Sequence, residues 1–274
     1  MPEAEAGQTS RVRGMDWTVP PSSPLRRLPR PLRPPALLAR KLALRLGPRW
    51  TYNADGMATV HYSPFRDDRE FTRLYDEMAS EWFSDTAVEA RWRMWLLTRY
   101  ARYACALPGN FAEFGVYRGG CSRMVLGTTP LDPARRLFLF DTFTGIPEDR
   151  LTAHELREGL GGRLGDTSAD YVSRLLSDWD PIPVLCAGDV FETIPRTHTG
   201  PLAFVHLDLN AAAPTRHVLE HIYDRLVAGG TVVLDDYGWR GYEDQRHTVE
   251  EFLRERPETL IALPTGQAVF LKVA

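Results

Sequence analysis

Three aspartates occupy positions from which their side chains could bind one metal ion. Asp208 directly follows the mainly apolar segment 203–207, and the pair Asp235 and Asp236 follows the apolar segment 231–234. Neither segment alternates strictly between apolar and polar residues, which is typical of parallel strands buried on both faces. If the two strands are neighbours, about 4.8 Å apart, the three carboxylates meet. Their repulsion would raise the pKa of one carboxyl group, and a hard divalent cation such as Mg2+, which prefers oxygen ligands, would remove the conflict.

The segment between these two strands is predicted to be a helix. Pro214 lies near its start, and a glycine turn at Gly229 and Gly230 follows its end. The apolar residues that recur at helical spacing are Val218, Leu219, Ile222, Leu226 and Val227. A right-handed crossover would place both strands in one parallel sheet, where ligands bind beyond the carboxyl ends of the strands. An aspartate at a strand end can equally well cap the next helix or turn, but the spacing of all three favours the metal site.

A second informative segment is 111–122, which reads FAEFGVYRGGCS. It predicts a strand that ends near Phe114, a glycine-rich turn, and a helix that begins near Ser122. Glycines permit positive φ and close approach of the backbone, and the free N–H groups at a helix start can bind an anion. The turn lacks the G-x-G-x-x-G pattern, which disfavours a dinucleotide cofactor.

Two further predicted strands also end in acidic residues. The strand 137–140 is followed by Asp141, and the strand 184–187 is followed by Gly188 and Asp189. An acidic residue after the second strand is where ribose hydroxyls are bound in folds of this kind, although Asp141 could equally cap the turn that follows it. Four successive strands therefore end in an acidic residue or a glycine–acid pair, which capping of single turns explains poorly.

Composition divides the chain into three parts. Residues 1–34 are rich in Pro, Arg and Ser and are predicted to be a disordered basic leader. Residues 35–107 are predicted to be a helical cap region, and residues 108–274 the core domain. Within the cap, the predicted helices are 36–46, 71–83 and 88–107. The core is predicted to contain a polar substrate loop over 147–167, helices over 169–176 and 241–256, and an antiparallel pair of strands over 260–263 and 268–273.

The composition also limits the class of protein. The formal charge of -3 gives no general reason to expect nucleic-acid binding, although residues 1–50 are basic and the remainder is acidic. Three cysteines without close pairing fit a reducing compartment. No apolar run of about 18 residues predicts a transmembrane segment, and no secretory signal is recognised. We expect a cytoplasmic protein, and the sequence is compatible with a homo-oligomer.

Five segments together resemble the macrocin O-methyltransferase family. They are FAEFGVYRGG, LFDTFTGIPE, FVHLDLNAAAPT, GGTVVLDDYGWRGYEDQ and LPTGQAVFLK. The family comprises S-adenosylmethionine-dependent and metal-dependent sugar O-methyltransferases of macrolide and aminocoumarin pathways. The resemblance, which covers residues 90–273, implies a class I methyltransferase fold. This is an α/β, Rossmann-like, doubly wound and mostly parallel seven-stranded sheet with an antiparallel last strand, here preceded by an N-terminal helical cap.

The resemblance also implies two sets of binding residues. Asp141 would accept the ribose hydroxyls of S-adenosylmethionine, and Gly188 and Asp189 would lie by its adenine. All the cofactor-binding residues would be Glu113, Gly115, Tyr117, Gly119, Ser122, Asp141, Phe143, Gly188 and Asp189. The ligands of Mg2+ or another hard divalent cation would be Asp208, Asp235 and Asp236.

One departure from the family pattern lies at the end of the fourth strand. Many members read Asp-Gly-Asp there, whereas this chain reads Asp208, Leu209 and Asn210. The first aspartate is retained and the second is an amide, so position 210 cannot supply a charge or a base. Asn210 could still bond a substrate hydroxyl.

The predicted function is methylation of a hydroxyl group in a small-molecule acceptor, a sugar or a glycosylated natural product. A sugar hydroxyl is a very weak acid, and a cation that chelates two adjacent hydroxyls would lower the cost of deprotonation and orient the nucleophile. Asp208 is the predicted catalytic base, with His206 and His217 as weaker alternatives.

Three other functions stay open from the sequence. One is a metal-independent small-molecule methyltransferase whose carboxylates only position the acceptor. Another is a non-catalytic S-adenosylmethionine-binding subunit or regulator. The least favoured is a nicotinamide-dependent dehydrogenase, because the G-x-G-x-x-G pattern is absent.

Overall fold

The fold is described from a computed structural model in which residues 50–82 and 89–274 are described. The predicted leader 1–34 and the predicted helix 36–46 lie outside these residues. The strands are β1 (Tyr52–Ala54), β2 (Met57–Thr59), β3 (Asn110–Phe114), β4 (Leu137–Asp141), β5 (Pro183–Ala187), β6 (Leu202–Leu207), β7 (Leu226–Leu234), β8 (Ile261–Ala262) and β9 (Ala268–Leu271). The α-helices are α1 (Arg69–Trp82), α2 (Arg91–Ala104), α3 (Gly120–Thr128), α4 (Ala153–Arg157), α5 (Ala169–Leu175), α6 (Val190–Arg196), α7 (Ala212–Ile222) and α8 (Glu243–Leu253).

Seven strands form one twisted sheet in the order β5-β4-β3-β6-β7-β9-β8. The first five are parallel, β9 is antiparallel to β7, and β8 is antiparallel to β9. The order reverses between β3 and β6, which creates a crevice at the carboxyl ends of these strands. The predicted mostly parallel seven-stranded sheet with an antiparallel end is confirmed. β1 and β2 form a separate hairpin.

Both faces of the sheet are covered by helices, which explains the uninterrupted apolar strands. Consecutive strand residues point to opposite faces, so Phe204 joins the core beneath α1, α2, α3 and α5, whereas Val205 joins the core beneath α6, α7 and α8. The aromatic residues of α1 and α2 belong to the first core, where Phe71 and Trp95 contact edge to face at 5.1 Å. α2 also packs on β6, β7 and α3.

The helix predicted between the two aspartate-bearing strands extends too far at its C-terminal end. α7 ends at Ile222, and both Leu226 and Val227 belong to β7. The glycines predicted as a turn lie within this strand, at a break in register between the pairs Leu202–Leu226 and Phe204–Thr231. Gly229 adopts φ +78 there, so the glycines permit a bulge in a long strand instead of ending a helix.

The structure contains two elements that are not among the predicted ones, the β1–β2 hairpin and α6. The hairpin turns at Asp55 and Gly56, whose φ angles are 51 and 77. Asp-Gly with positive φ at both residues is the usual signature of a two-residue hairpin turn, so the signal was present. α6 is a single short helix that Asp189 caps at its start. Among the described residues, every helix falls short of the length and apolarity needed to cross a membrane.

Glu258 joins the segment after α8 to the last residues of the chain. Its side chain, which is 0% exposed, lies 3.3 Å from Lys272 Nζ. Tyr223 Oη donates to it at 2.6 Å and the Val273 N–H at 3.1 Å. Burial raises the pKa of Glu258, but the hydrogen bonds from Tyr223 and Val273 and the neighbouring Lys272 outweigh it and lower the pKa below its usual range.

We expect the Glu258→Gln substitution to lower the free energy of unfolding by about 1–2 kcal/mol at pH 7. Because the folded protein has the lower pKa, the stabilisation by the carboxylate is present above the ordinary glutamate pKa of about 4.3 and is lost as the pH falls through the folded value. Urea unfolding of both proteins at pH 7, 5 and 3 should therefore show a difference that shrinks with acidification. A difference independent of pH would contradict the role of the charge.

Candidate active site

The three predicted metal-binding aspartates come together at the carboxyl ends of β6 and β7. One carboxylate oxygen from each of Asp208, Asp235 and Asp236 lies within 4.8 Å of the others. Asp235 and Asp236 are buried, with exposed fractions of 3% and 7%, whereas Asp208 is partly exposed. The pairing of β6 and β7 up to Leu207 and Leu234 brings these residues to one edge of the sheet.

The crowding perturbs the ionisation of the three carboxyl groups. Burial and the charges of Asp235 and Asp236 raise the pKa of Asp208 well above its usual value. Burial and the charge of Asp235 raise the pKa of Asp236 to about 7. Burial would also raise the pKa of Asp235, but Arg93 and His206 together lower it below the usual range. Arg93 and His206 therefore stabilise the negative charge of Asp235, whereas burial and repulsion within the triad disfavour ionisation of Asp208 and Asp236.

Arg93 of α2 provides the cation beside Asp235. Its Nη1 donates to Asp235 Oδ2 at 2.8 Å, and its Nε and Nη2 donate to the two carboxylate oxygens of Asp55 at 3.0 and 2.6 Å. The side chains of Asp55 and Asp235 are each 5% exposed. The hairpin and α2 thus reach the triad, a contact that the sequence analysis did not identify because 142 residues separate Arg93 from Asp235.

Gln267, which precedes β9, is the second residue of the site that sequence reasoning overlooked. Its amide Nε2 donates to Asp235 Oδ1 at 2.9 Å, and its Oε1 accepts a hydrogen bond from Thr265 at 3.0 Å. Gln267 is fully buried. A buried amide needs hydrogen-bond partners, but the burial of Gln267 cannot be read from the segment LPTGQAVFLK.

The glycine turn after β3 lies directly against Asp208. Gly115 has φ +87, and a Cβ atom at this position would overlap the carbonyl oxygen of Asp208. The Asp208 N–H in turn donates to Phe114 O at 2.8 Å. Gly119 has φ +78 and caps the start of α3, while Tyr117 also has positive φ, at 51. Only glycine at position 115 permits this approach of the turn to the triad.

Glu113 of β3 and Ser122 of α3, on the two sides of this turn, are buried, and the Ser122 hydroxyl donates a hydrogen bond to Glu113 Oε2. Glu113 Oε1 lies 2.9 Å from His206 Nδ1. Cys121 completes a buried group with Glu113 and His206 whose donor atoms lie within 4.8 Å of one another. Burial and the charge of Glu113 raise the pKa of the Cys121 thiol well above its usual value.

His206 stands between the two clusters. Its Nε2 lies 3.6 Å from Asp235 Oδ1, which is longer than a hydrogen bond but within the range of an ion pair. Burial lowers the pKa of His206, but its contacts with Asp235 and Glu113 outweigh burial and raise the pKa to about 10. The residue is 1% exposed, so it is a poor candidate for a base that must contact a substrate.

Asp141 binds backbone N–H groups in the structure. Its Oδ2 accepts from Val116 and Tyr117 at 2.7 and 2.8 Å, and its Oδ1 accepts from Phe143 at 2.6 Å. The capping role that the sequence left open is therefore present, and it also joins the glycine turn to the segment that follows β4. Asp141 lies beside the same crevice, where its role towards a ribose stays a prediction.

Gly188 and Asp189 continue the same edge of the sheet. Gly188 has φ +131 and donates its N–H to Asp141 O at 2.8 Å. The Asp189 side chain accepts from the Phe191 N–H at 3.0 Å and caps α6, and Arg150 Nε donates to its other oxygen at 3.0 Å. The predicted cofactor residues thus follow one another along the ends of β3, β4 and β5.

The predicted substrate loop contains α4, and its Arg163 interacts electrostatically with Asp236. Glu155 is the buried residue that fixes it, because its carboxylate accepts from the N–H groups of Thr152 and Ala212 at 2.8 and 2.7 Å. Thr152 also donates to Asp244 of α8. The loop is therefore tied both to the start of α7 and to the segment after Asp236.

Asn210 contacts the triad directly. It has positive φ, at 58, and its Nδ2 donates to Asp208 Oδ1 at 3.0 Å. Two further side chains near the triad, those of Arg163 and Tyr242, are hydrogen-bonded to each other and interact electrostatically with Asp236. Amide, guanidinium and phenol groups therefore lie next to the carboxylates of the triad.

The donor set at the triad fits a hard divalent cation. Three carboxylates offer oxygen atoms within 4.8 Å of one another, and Asp236 Oδ2 is buried without a hydrogen-bond partner among the described residues. Arg93 compensates Asp235, and Arg163 interacts electrostatically with Asp236. Magnesium and similar ions prefer such oxygen ligands.

Solved structures define the class of this fold. The O-methyltransferase NovP superposes with a TM-score of 0.59 and 21% sequence identity, covering 66% of this chain and 80% of NovP. CalS11, a calicheamicin methyltransferase, superposes with a TM-score of 0.58 and 22% identity, covering 77% of this chain and 94% of CalS11. The chain has the class I methyltransferase fold.

Sequence comparison identifies the family within this class. The model of the macrocin-O-methyltransferase (TylF) family matches residues 91–261. The chain belongs to this family, which confirms the resemblance predicted from the sequence. It is 35% identical over 156 residues to the 8-demethyl-8-(2,3-dimethoxy-alpha-L-rhamnosyl)-tetracenomycin-C 4'-O-methyltransferase of Streptomyces olivaceus. That match covers 53% of this chain and 59% of the relative, so it spans little more than half of the relative's length.

Proposed function

We propose that this protein transfers the methyl group of S-adenosylmethionine to a hydroxyl group of a sugar or a glycosylated natural product, with the assistance of a divalent cation. The observation that carries the proposal is the position of the carboxylate triad directly against the glycine turn after β3. Membership of the macrocin O-methyltransferase family supports the reaction class. The rhamnosyl tetracenomycin methyltransferase to which the chain is similar supports a sugar hydroxyl as the acceptor.

In the proposed complex, the cofactor occupies the crevice along the ends of β3, β4 and β5. Gly115 and Gly119 permit close approach of the backbone, and the first N–H groups of α3 can bind a carboxylate. Asp141 lies at the centre of this edge, where it would bind the ribose while it orders the glycine turn. Gly188 and Asp189 would border the adenine.

Asp208 is the proposed catalytic base. Asp235 has both oxygens engaged by Arg93 and Gln267, and Asp236 is buried, so Asp208 is the member of the triad most accessible to an acceptor. The acceptor oxygen attacks the methyl carbon as the carbon–sulfur bond breaks, and neutral S-adenosylhomocysteine leaves. The hydroxyl proton passes to a carboxylate oxygen of Asp208.

Asp208, Asp235 and Asp236 would hold the cation. When bound, it would supply Lewis acidity and orient the acceptor. Asn210 orients Asp208 through the hydrogen bond to Oδ1. The side chains of Arg163 and Tyr242 would limit where an acceptor can lie. His217 stacks on Phe191 at 4.2 Å, which gives it a packing role on α7.

The proposal is tested with methyl-labelled S-adenosylmethionine and a panel of free sugars, nucleotide sugars and glycosylated natural products. We expect label to enter at least one glycosylated acceptor, with no transfer to the corresponding acceptor that lacks the sugar. If the protein binds S-adenosylhomocysteine in calorimetry but transfers no label to any acceptor, the non-catalytic alternative replaces this proposal.

Removal of the divalent cation is expected to lower the rate of methyl transfer by about 100-fold, because the three carboxylates would no longer hold a Lewis acid. Activity is measured in excess EDTA and again after addition of Mg2+ beyond the chelator, which should restore it. Full activity in EDTA would support the metal-independent alternative.

A further inference from the structure

His206 lies between Glu113, on the proposed cofactor side of the site, and Asp235, on the proposed metal side. It lies in the middle of the sheet, where β6 pairs it with Glu113 of β3 and with Val233 of β7. It is 1% exposed. Its two ring nitrogens point in opposite directions, each towards a buried carboxylate.

The contact of Nδ1 is with Glu113, near the end of the strand that leads into the glycine turn. Glu113 Oε1 lies 2.9 Å away, and the other oxygen of Glu113 accepts the hydrogen bond of Ser122 at the start of α3. Glu113 is 3% exposed, so the position of its carboxylate is set by these two partners. The imidazole therefore fixes the strand end from which the glycine turn begins.

The contact of Nε2 is with the triad. This nitrogen is buried, has no hydrogen-bond partner among the described residues and faces Asp235 Oδ1 at 3.6 Å. Arg93 and Gln267 hold the same carboxylate from two other directions. Asp235 is therefore enclosed by three side chains, of which His206 also contacts Glu113 of β3.

We propose that His206 is a shared positioning residue, which orients Glu113 for cofactor binding through Nδ1 and Asp235 for cation binding through Nε2. The proposal rests on the proposed placement of S-adenosylmethionine and the cation. His206 contacts neither the substrate nor the methyl group. Residues that orient metal ligands in this way commonly change metal affinity by about 10- to 100-fold when they are replaced.

Two substitutions separate the two contacts. The amide of Asn lies near the position of Nδ1 and the amide of Gln near that of Nε2, so His206→Asn keeps the contact with Glu113 and His206→Gln keeps the contact with Asp235. His221→Asn, a substitution on α7 at a partly exposed position, is the matched control. The measurements are the Kd of S-adenosylhomocysteine by calorimetry and the Kd of Mn2+ by electron paramagnetic resonance, without acceptor or turnover.

We expect His206→Asn to raise the Kd of Mn2+ by about 10-fold and to leave the Kd of S-adenosylhomocysteine within about 2-fold. His206→Gln should show the reverse, because it loses the charged hydrogen bond to Glu113. Equal weakening of both ligands by both variants, or unchanged affinities in both, would overturn the proposal. If the wild-type protein binds both ligands but transfers no methyl group, the proposed function fails and the positioning role stands.

The wild-type protein provides the same answer if the variants do not fold. With histidine labelled with 15N, the two ring nitrogens of His206 are observed separately by NMR. S-adenosylhomocysteine should shift chiefly the Nδ1 signal and Mg2+ chiefly the Nε2 signal. Signals of His206 that do not respond to either bound ligand would contradict the proposal.

Discussion

The Asp208→Asn protein is expected to bind S-adenosylhomocysteine as the wild type does and to lose about 1,000-fold in kcat. The substitution keeps the size of the side chain and removes the carboxylate that would accept the proton, and loss of a general base costs about 100- to 10,000-fold. Single-turnover measurements with saturating acceptor separate this chemical step from binding. The cofactor affinity should be unchanged because the glycine turn contacts the backbone of Asp208 and not its carboxylate.

Asp224→Asn is the matched control for this substitution. Asp224 is an exposed aspartate between α7 and β7. In the described contacts, its side chain does not touch the triad. It should retain full activity. An Asp208→Asn protein with more than about a tenth of the wild-type rate would assign the base to another group.

The Arg93→Met substitution is expected to lower the free energy of unfolding by about 3–5 kcal/mol, the usual cost of leaving buried charges without their partner. Arg93 is enclosed by Asp55 and Asp235, whose side chains are each 5% exposed. Met fills much of the same volume, so the effect reports the lost charge more than a cavity. Urea unfolding in EDTA measures it without compensation by a bound cation.

Arg73→Met provides the comparison for Arg93. Arg73 pairs with Glu77 within α1, where the two side chains are 61% and 39% exposed. Loss of such an exposed pair is expected to cost no more than about 0.5 kcal/mol. Similar losses of stability in the two variants would show that burial of the Arg93 network does not matter.

The sequence predicts the parts of the site that lie at strand ends. Asp208, Asp235 and Asp236 each follow an apolar segment, and topology alone brings the carboxyl ends of neighbouring parallel strands together. The glycine turn after β3 is predicted for the same reason. These residues are set by the local pattern and by the chirality of the crossover, both of which are readable from one sequence.

The partners of the triad could not be predicted in this way. Arg93 lies on a helix before the sheet and Gln267 at the start of the last strand, and neither position has a local pattern that points to Asp235. Their contacts depend on how α2 and β9 pack in three dimensions. Similarly, Leu226 and Val227 fit a helical spacing, but pairing with β6 places them in a strand because tertiary contacts override a short periodicity.

The link between Asp55, Arg93 and Asp235 has a practical consequence for recombining this protein with its relatives. A chimera in which the segment before β3 comes from a relative would pack a foreign α2 against the native β7. The foreign helix would need an arginine at the position equivalent to Arg93. A crossover placed between residues 104 and 110 would therefore separate a charge from its counterion. Grafts that carry the hairpin, α2 and the sheet as one block are expected to express as folded protein.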